Sequence, residues 1–241
     1  MMLVHQFPPL RTGRLVKRHK RFLADILLDT GETITAHCPN TGPMTGVCTI
    51  GSRVAVSYQP APTRKLPYTW EMIEVQGTWV GINTSLPNRV IGQMLNQQLL
   101  PQFQDYPTIQ REVIYGAEGS RIDFLLENGR GEKVYLEVKN TTWSQAHTAI
   151  FPDTKTTRGQ KHLRELIRVR QTPNTRAVVL YFIHRGDCNR WRSGDEVDPE
   201  YGKLLRQAIT AEVEILPCRF QVNPKGIVYL GLAELELELL E

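Results

Sequence analysis

Three charged side chains stand at a spacing that could support catalysis: Asp123, Glu137 and Lys139. They lie in two apolar, strand-like runs that flank a Glu-Asn-Gly-Arg-Gly segment, which is typical of a β-hairpin turn. Side chains alternate between the two faces of a strand, so Glu137 and Lys139 share one face. Two carboxylates beside a lysine can hold a hard divalent cation and position a water molecule. The hairpin therefore predicts a site suited to phosphodiester cleavage.

The same spacing also fits a cross-strand ion pair on a solvated hairpin. Such a pair contributes about 0.2–1 kcal/mol to stability and carries no function. A second acidic residue stands two before a lysine at Asp153-Thr-Lys155, directly after Pro152. Proline and the following Thr-Lys-Thr-Thr are typical of a loop, so we do not assign Asp153 to the site. For Glu137 and Lys139, spacing alone leaves both interpretations open.

If the hairpin forms a site, we expect Asp123 and Glu137 to bind Mg²⁺ or Mn²⁺. Magnesium keeps several of its waters and completes its octahedron with phosphate oxygens. Lys139 would orient the attacking water or stabilise charge in the transition state. Glu118 and Glu112 are further candidate metal ligands, and the alternative for Glu118 is an exposed acidic residue in a glycine-containing loop.

The composition indicates a chain with a substantial core. Its 241 residues, of which 41% are hydrophobic, suffice for one large domain or two small ones. No stretch of about 18 apolar residues occurs, and the first ten residues lack a charged n-region, so we expect neither a transmembrane helix nor a signal peptide. The four cysteines form no Cys-x-x-Cys pair, which argues against a zinc site or a disulfide framework. We expect reduced thiols, a cytoplasmic location and no membrane partner.

Positive charge is concentrated in two segments, although the net charge is only +4. Residues 1–83 hold 9 Lys/Arg and 5 Asp/Glu, and residues 155–176 hold 7 Lys/Arg and one Glu. Two separate basic segments favour a polyanionic partner, whereas a single one is more often a solvated face. We therefore expect nucleic-acid contacts from Arg11, Arg14, Lys17, Arg18, Lys20, Arg21, Arg158, Gln160, Lys161 and Arg164.

Residues 1–83 are predicted to form an all-β domain. Its strands are expected at Leu15–Leu28 (one long strand or a bent pair), Thr33–His37, Arg53–Tyr58 and, as a hairpin, Tyr68–Ile82. About five short strands are typical of a small barrel of the oligonucleotide-binding (OB) or SH3-like type. The Cys38–Met44 segment contains the turn residues of a shaped loop, for which we expect nucleic-acid contact or domain bridging.

Residues 84–241 are predicted to form a second domain, of the α/β type with a mixed sheet. Helices are expected at Asn88–Leu100, at Thr157–Arg170 and after the Asp198-Pro199 cap, and strands at Ile109–Tyr115, the Asp123–Lys139 hairpin, Arg176–Ile183, Glu212–Val222 and Ile227–Leu230. The alternating segment Glu234–Leu240 fits either a strand or a frayed helix.

Seven motifs in order resemble the sugar fermentation stimulation protein (SfsA) family, and together they span nearly the whole chain. They are His37–Met44, Asn83–Asn88, Ser120–Leu126, Glu137–Asn140, Phe151–Asp153, Arg158–Leu163 and Asp198–Tyr201. The resemblance implies an OB-fold-like N-terminal barrel, a C-terminal domain of the PD-(D/E)xK nuclease fold, DNA binding and a link to sugar-utilisation gene expression. The nuclease motif falls on Asp123, Glu137 and Lys139, with Ile122 where the motif has proline.

The sequence thus predicts a DNA-binding protein with a magnesium-dependent phosphodiesterase site on a β-hairpin. DNA is expected as the partner rather than RNA. The alternative is a regulator of sugar-utilisation genes that binds DNA without sequence preference and keeps the nuclease fold without catalysis.

Overall fold

The computed structural model describes residues 1–236, which form a barrel beside a seven-stranded mixed sheet. The end of the alternating segment predicted at Glu234–Leu240 lies outside the described residues. The strands of the first third are β1 (Met2–Gln6), β2 (Arg11–His19), β3 (Leu23–Leu28), β4 (Thr33–His37), β5 (Arg53–Tyr58), β6 (Tyr68–Val75) and β7 (Thr78–Gly81).

Strands β2 to β6 form a closed barrel, because β4 also pairs in parallel with β6 through His37 and Thr69. Buried side chains, including that of Trp70, fill its interior. The predicted run Leu15–Leu28 is a bent pair, and the chain turns at Lys20 and Arg21 with φ values of 51° and 63°. The barrel predicted for the first third is therefore confirmed.

The remaining elements build the second region. They are α1 (Leu86–Asn96), a 3₁₀ turn (Pro101–Phe103), β8 (Thr108–Tyr115), β9 (Ser120–Glu127), β10 (Lys133–Thr141), β11 (Ser144–Gln145), β12 (Thr148–Phe151), α2 (Thr157–Arg170), β13 (Thr175–Ile183), β14 (Arg190–Ser193), α3 (Pro199–Thr210), β15 (Glu214–Asn223), β16 (Gly226–Leu232) and β17 (Glu234–Leu235). The large sheet has the order β1-β16-β15-β13-β10-β9-β8, and β11, β12, β14 and β17 form a small second sheet.

The order of pairings in the large sheet makes it mixed. Strands β8, β9 and β10 form an antiparallel meander, whereas β10, β13 and β15 run parallel. Helix α1 and the barrel residues Ala55 and Met72 pack on one face of this sheet. Helices α2 and α3 pack on the other face. The predicted α/β domain with a mixed sheet is confirmed. The hairpin is formed by β9 and β10, which follow α1 and β8 in the chain and precede α2 and β13.

The first strand departs from the expected organisation. No strand is predicted at residues 2–6. In the structure, β1 pairs with β16 and adds to the large sheet, with Met2 opposite Tyr229. The chain therefore begins in the large sheet and crosses to the barrel at β2. The division into residues 1–83 and 84–241 stays a prediction.

Helix starts follow local capping chemistry in two of three cases. Thr156 Oγ1 accepts a hydrogen bond from the Gly159 amide at α2, and the Asp198 carboxylate accepts one from the Tyr201 amide at α3. Helix α1 begins at Leu86, two residues before the expected start at Asn88. Asn88 lies inside the helix, where its side chain is available for another contact.

None of the helices in residues 1–236 combines the length and the apolar character required to cross a membrane.

Candidate active site

The hairpin strands separate at the predicted catalytic residues. Strands β9 and β10 pair from Glu127–Lys133 to Phe124–Leu136, and both continue beyond this point. Beyond the Phe124–Leu136 pair, a side chain takes the place of the backbone partner. Asp123 Oδ2 accepts a hydrogen bond of 2.7 Å from the Val138 amide. This fork brings the carboxylate of Asp123 close to that of Glu137.

Asp123 is held from two sides. Besides the Val138 amide, it is contacted by Asn88 of α1, whose Nδ2 donates to Oδ1 over 2.6 Å. Burial, followed by the nearby charge of Glu137, raises the pKa of Asp123 to about 6. Proximity of two desolvated carboxylates is unfavourable without a cation, so this carboxylate lies where positive charge would be stabilised.

Glu137 is buried, with 3% of its surface exposed. Its Oε1 accepts a hydrogen bond of 2.7 Å from Lys139 Nζ and is also contacted by His162 Nδ1. Although burial acts to raise the pKa of Glu137, Lys139 and His162 hold it below the usual value. Its second oxygen, Oε2, is buried and has no hydrogen-bond partner among residues 1–236. A buried carboxylate oxygen without a partner is unusual, and it is a ready ligand for a cation.

The surroundings of the two carboxylates are polar but enclosed. The hydroxyl group of Tyr115 is buried without a partner in the described chain, and burial together with Glu137 raises its pKa. Glu165 of α2 accepts hydrogen bonds of 3.0 Å from the amides of Ala117 and Glu118 and so fixes the β8–β9 turn. Helix α2 therefore closes the site on one side and anchors the turn that leads to Asp123.

The donor set suits a hard divalent cation that keeps some of its waters rather than one enclosed by protein ligands alone. Residues 1–236 contain no group of three or more His, Cys, Asp or Glu side chains that could hold a metal ion by themselves. Asp123 and Glu137 supply two carboxylates, and Glu137 Oε2 is unengaged. Magnesium is commonly bound through one or two carboxylates together with waters and substrate phosphates, which matches this arrangement.

The two additional acidic candidates are engaged elsewhere. Glu118 is exposed and pairs with Arg164 and Arg168 of α2 at 3.3 and 3.1 Å, and these contacts, Arg164 first, lower its pKa. Glu112 is exposed and lies 3.8 Å from Arg121. Its φ of 54° marks an irregularity in the edge strand β8. The structure thus gives both acids surface partners and gives neither a contact with Asp123 or Glu137.

Only part of the predicted basic helix is available to a ligand. Arg158 is exposed at the start of α2, with Nε 3.4 Å from His162 Nε2. Lys161 donates to the Glu118 carbonyl, and Arg164 pairs with the Glu118 carboxylate. Gln160 is 8% exposed and donates to Asp198 Oδ1 over 2.8 Å. Gln160 therefore links the starts of α2 and α3, and its side chain is not available to nucleic acid.

The basic residues of β2 and the turn after it likewise include side chains that are held by the protein and side chains that are exposed. Arg11 donates to the Tyr68 hydroxyl and stacks on Tyr58, and Arg14 donates to the Gly51 carbonyl. Arg18 is directed into the Cys38–Met44 loop, where it donates to two carbonyls, so the loop rather than a phosphate is its partner. The residues that are exposed and make no side-chain hydrogen bond within the described chain are Lys17, Lys20 and Arg21.

Two site residues, Asn88 and His162, were not predicted. Asn88 was expected only as the first residue of a helix, and His162 only as part of the Arg158–Leu163 motif. His162 is 3% exposed and touches Glu137, with Lys139 Nζ 3.2 Å from its Nδ1. A histidine on an otherwise basic helix, four residues after Arg158, was the available signal, but only packing shows which strand it faces.

Two family models match the chain. The model described as "Sugar fermentation stimulation protein RE domain" matches residues 85–226. The model described as "SfsA N-terminal OB domain" matches residues 16–82. Together they cover most of the sequence.

Curated relatives match over nearly their whole lengths. The chain is 58% identical over 237 residues to a sugar fermentation stimulation protein homolog of Synechocystis sp., covering 98% of this chain and 99% of that protein. It is 60% identical over 233 residues to the homolog of Thermosynechococcus vestitus, covering 96% and 97%. A solved structure of SfsA from Pyrococcus furiosus, described as a complex with Ca²⁺, superposes with a TM-score of 0.89 at 24% identity, covering 98% and 100%. The last comparison shows that the two chains share one fold.

Proposed function

The chain belongs to the sugar fermentation stimulation protein family, and we propose that it is a divalent-cation-dependent phosphodiesterase acting on nucleic acid. The observation that carries the proposal is the fork between β9 and β10, where Asp123, Glu137 and Lys139 meet and Glu137 Oε2 has no partner in the described chain. The preference for DNA over RNA rests on the family resemblance.

Asp123 and Glu137 are the residues that would hold the cation. When bound, Mg²⁺ or Mn²⁺ would supply Lewis-acid polarisation of the phosphate and a more acidic water. The Pyrococcus furiosus protein is described as a complex with Ca²⁺. Calcium and magnesium both prefer carboxylate oxygens, so this description supports a hard cation here as well.

The chain's own side chains have separable roles in this proposal. Lys139, with 13% of its side chain exposed, provides a fixed positive charge beside the scissile phosphate. His162 and Lys139 together hold one oxygen of Glu137, which leaves the other directed elsewhere. Asn88 orients Asp123, since both Asp123 oxygens accept a fixed donor. Such supporting contacts typically affect cation affinity or activity by 10–100-fold.

Substrate binding is assigned to exposed basic side chains on both regions. Lys17, Lys20 and Arg21 lie on the barrel, and Arg158 lies at the start of α2 next to His162. Contacts of this type go to phosphates, so we expect binding that tolerates different sequences and weakens with salt.

A substrate panel tests the proposal. Labelled single strands, duplexes, flaps, RNA and RNA–DNA hybrids are incubated with the protein and Mg²⁺ or Mn²⁺, and cleavage is followed on denaturing gels. The variant is Lys139→Ala, and the matched control is Lys133→Ala on the same strand, where Lys133 pairs with Glu127 at 2.8 Å on the surface. We expect cation-dependent cleavage that Lys139→Ala abolishes and Lys133→Ala retains.

Two results would contradict the proposal. Cleavage at the wild-type rate by Lys139→Ala would exclude the assigned mechanism. Binding of DNA without cleavage of any substrate would favour the alternative, a regulator that keeps the nuclease fold and acts on sugar-utilisation genes by binding alone.

A further inference from the structure

A small polar pocket lies where the Cys38–Met44 loop meets the ends of β10 and β12, and we call it the interdomain pocket. Its volume is about 100 Å³. Asn40 and Thr84 line one side, and Asn140, Trp143 and Asp153 line the other. The pocket exists only because the barrel loop meets the large domain.

The barrel side of the pocket is rigid. The guanidinium group of Arg18 donates to the carbonyls of Asn40 and Gly42 over 3.0 and 2.8 Å. Asn40 Oδ1 accepts the Gly42 amide over 2.9 Å, and Thr84 Oγ1 donates to the Pro39 carbonyl over 3.0 Å. A wall fixed in this way loses little conformational entropy when it binds a ligand.

Several polar groups of the interdomain pocket lack partners. The amide oxygens of Asn40 and Asn140 are engaged, the latter 3.1 Å from His184 Nδ1, but their amide nitrogens have no partner within residues 1–236. Thr141, which is 1% exposed and lines the pocket, has a buried Oγ1 without a partner in the same range. The Asp153 carboxyl group accepts no side-chain donor in the described chain and is contacted by the backbone amides of Asp153 and Thr45. Buried polar groups are nearly always paired in native proteins, so the Thr141 hydroxyl indicates a missing ligand, and the two amide nitrogens and the Asp153 carboxyl group offer that ligand donors and acceptors.

The size and walls of the pocket narrow the class of ligand. Trp143 and Phe151 contribute aromatic surface. A closed cavity of about 150 Å³ accommodates benzene, so an open pocket of about 100 Å³ takes the edge of a planar ring while the rest of the ring stays at its mouth. Burial raises the pKa of the Asp153 carboxyl group, while the backbone amides of Asp153 and Thr45 partly counteract this.

The pocket also adjoins the candidate active site. Asn140 and Thr141 directly follow Lys139 on β10. A strand rises about 3.3 Å per residue, so the pocket begins roughly 3–7 Å along the strand from the lysine. A nucleotide next to the scissile phosphate lies within this reach.

We propose that the interdomain pocket holds one unpaired nucleobase that carries an exocyclic amino group, and thereby positions the strand for cleavage. Asp153 accepts from the amino group, and the amide nitrogens of Asn40 and Asn140 donate to ring nitrogen or carbonyl acceptors. Adenine, cytosine and guanine meet this requirement, whereas thymine has no amino group. The inference rests on the proposed function, because it assumes that nucleic acid is the ligand.

The test uses labelled dT oligonucleotides with one central position changed to adenine, cytosine, guanine or an abasic site. Affinities are measured by fluorescence anisotropy in EDTA at fixed salt, so that cleavage does not contribute. Asp153→Asn and Asn40→Asp are isosteric variants on opposite walls, and Asn40→Asp keeps the acceptor for the Gly42 amide. The controls are Asp105→Asn and Asn174→Asp, which make the same chemical changes at exposed positions.

We expect wild-type protein and both controls to bind the oligonucleotides with an amino-bearing base about tenfold more tightly than all-dT or abasic ones. We expect both pocket variants to lose this preference while the affinity for all-dT is unchanged. Equal affinities for all central positions, together with intact cleavage, would overturn the pocket inference and leave the proposed function standing. Failure to bind any oligonucleotide would also overturn the pocket inference, and the absence of cleavage of every substrate in Mg²⁺ or Mn²⁺ as well would overturn both.

Discussion

Replacing Asp123 by asparagine is predicted to stabilise the cation-free protein and to remove its response to cations. Asparagine can keep both hydrogen bonds of Asp123: its oxygen accepts from the Val138 amide, and its nitrogen donates to Asn88 after the Asn88 amide rotates. The substitution therefore removes a charge and preserves the packing of the fork.

The magnitude follows from the pKa of Asp123, which is raised from 3.8 to about 6, first by burial and then by Glu137. One pKa unit corresponds to about 1.4 kcal/mol, so ionising this carboxyl group costs the folded state roughly 3 kcal/mol above pH 6. The folded pKa exceeds the unfolded one, so the cost appears as pH rises through the window from 3.8 to about 6 and is absent below it. Asp123→Asn should gain about 1–3 kcal/mol at pH 8, and this gain should disappear near pH 4.

Urea unfolding in EDTA at pH 8 and pH 4 measures the gain, and melting temperatures with increasing Mg²⁺ or Mn²⁺ measure the response to cations. We expect the wild type to be stabilised by the cation, because binding to the native state alone raises its stability, and the variant to be unaffected. A variant that is less stable than the wild type at pH 8, or one that still responds to the cation, would refute the assignment of Asp123 as a metal ligand whose charge destabilises the cation-free fold.

Three further outcomes are expected. His162→Ala should lower cleavage about 10–100-fold while leaving DNA affinity in EDTA unchanged, because His162 supports Glu137 rather than the substrate; a proportional loss of affinity would contradict this role. Burial lowers the pKa of His184 from 6.5 to about 3. As the pH falls below 6.5, His184 is therefore protonated in the unfolded chain but not in the folded one, and the folded state loses stability. The stability difference between wild type and His184→Gln should therefore shrink by about 2 kcal/mol between pH 7.5 and pH 5 in urea unfolding, whereas a constant difference would exclude the effect. Replacing Lys17, Lys20 and Arg21 together by alanine should reduce the slope of log affinity against log salt by about 2–3, and an unchanged slope would remove these residues from the phosphate contacts.

Sequence periodicity was sufficient for the elements that position the fork. The hairpin follows from local turn chemistry and alternation, and the cap at Asp198 follows from short-range hydrogen bonding. The cap of α2 is Thr156, one residue before the expected helix start at Thr157. Strand β1 was missed because its partner lies more than 200 residues later, and five residues with mixed exposure give no local signal. Long-range pairing of this kind depends on tertiary packing, which a single sequence does not display.

The predicted nucleic-acid contacts show the same limit. Charge and position do not distinguish Arg18, which fixes the Cys38–Met44 loop, from Lys17, which is exposed on the same strand. Alternation along β2 would separate the two faces, but the irregular register between Leu15 and Lys17 shifts it. Asn88 and His162 could not be assigned from sequence, because each acquires its role only when a helix packs beside the fork.

The burial of Glu137 favours one of the two interpretations that spacing left open for Glu137 and Lys139. A cross-strand ion pair on a solvated hairpin would be exposed and worth at most about 1 kcal/mol. Glu137 is instead 3% exposed, and one of its oxygens is shared by Lys139 and His162 while the other has no partner in the described chain. Stability alone would favour an apolar side chain at such a position, since buried ion pairs are often replaceable by hydrophobic residues without loss. An arrangement that keeps a second carboxylate, Asp123, at the same fork adds a further electrostatic cost, which a cation bound by both acids, as proposed above, would offset.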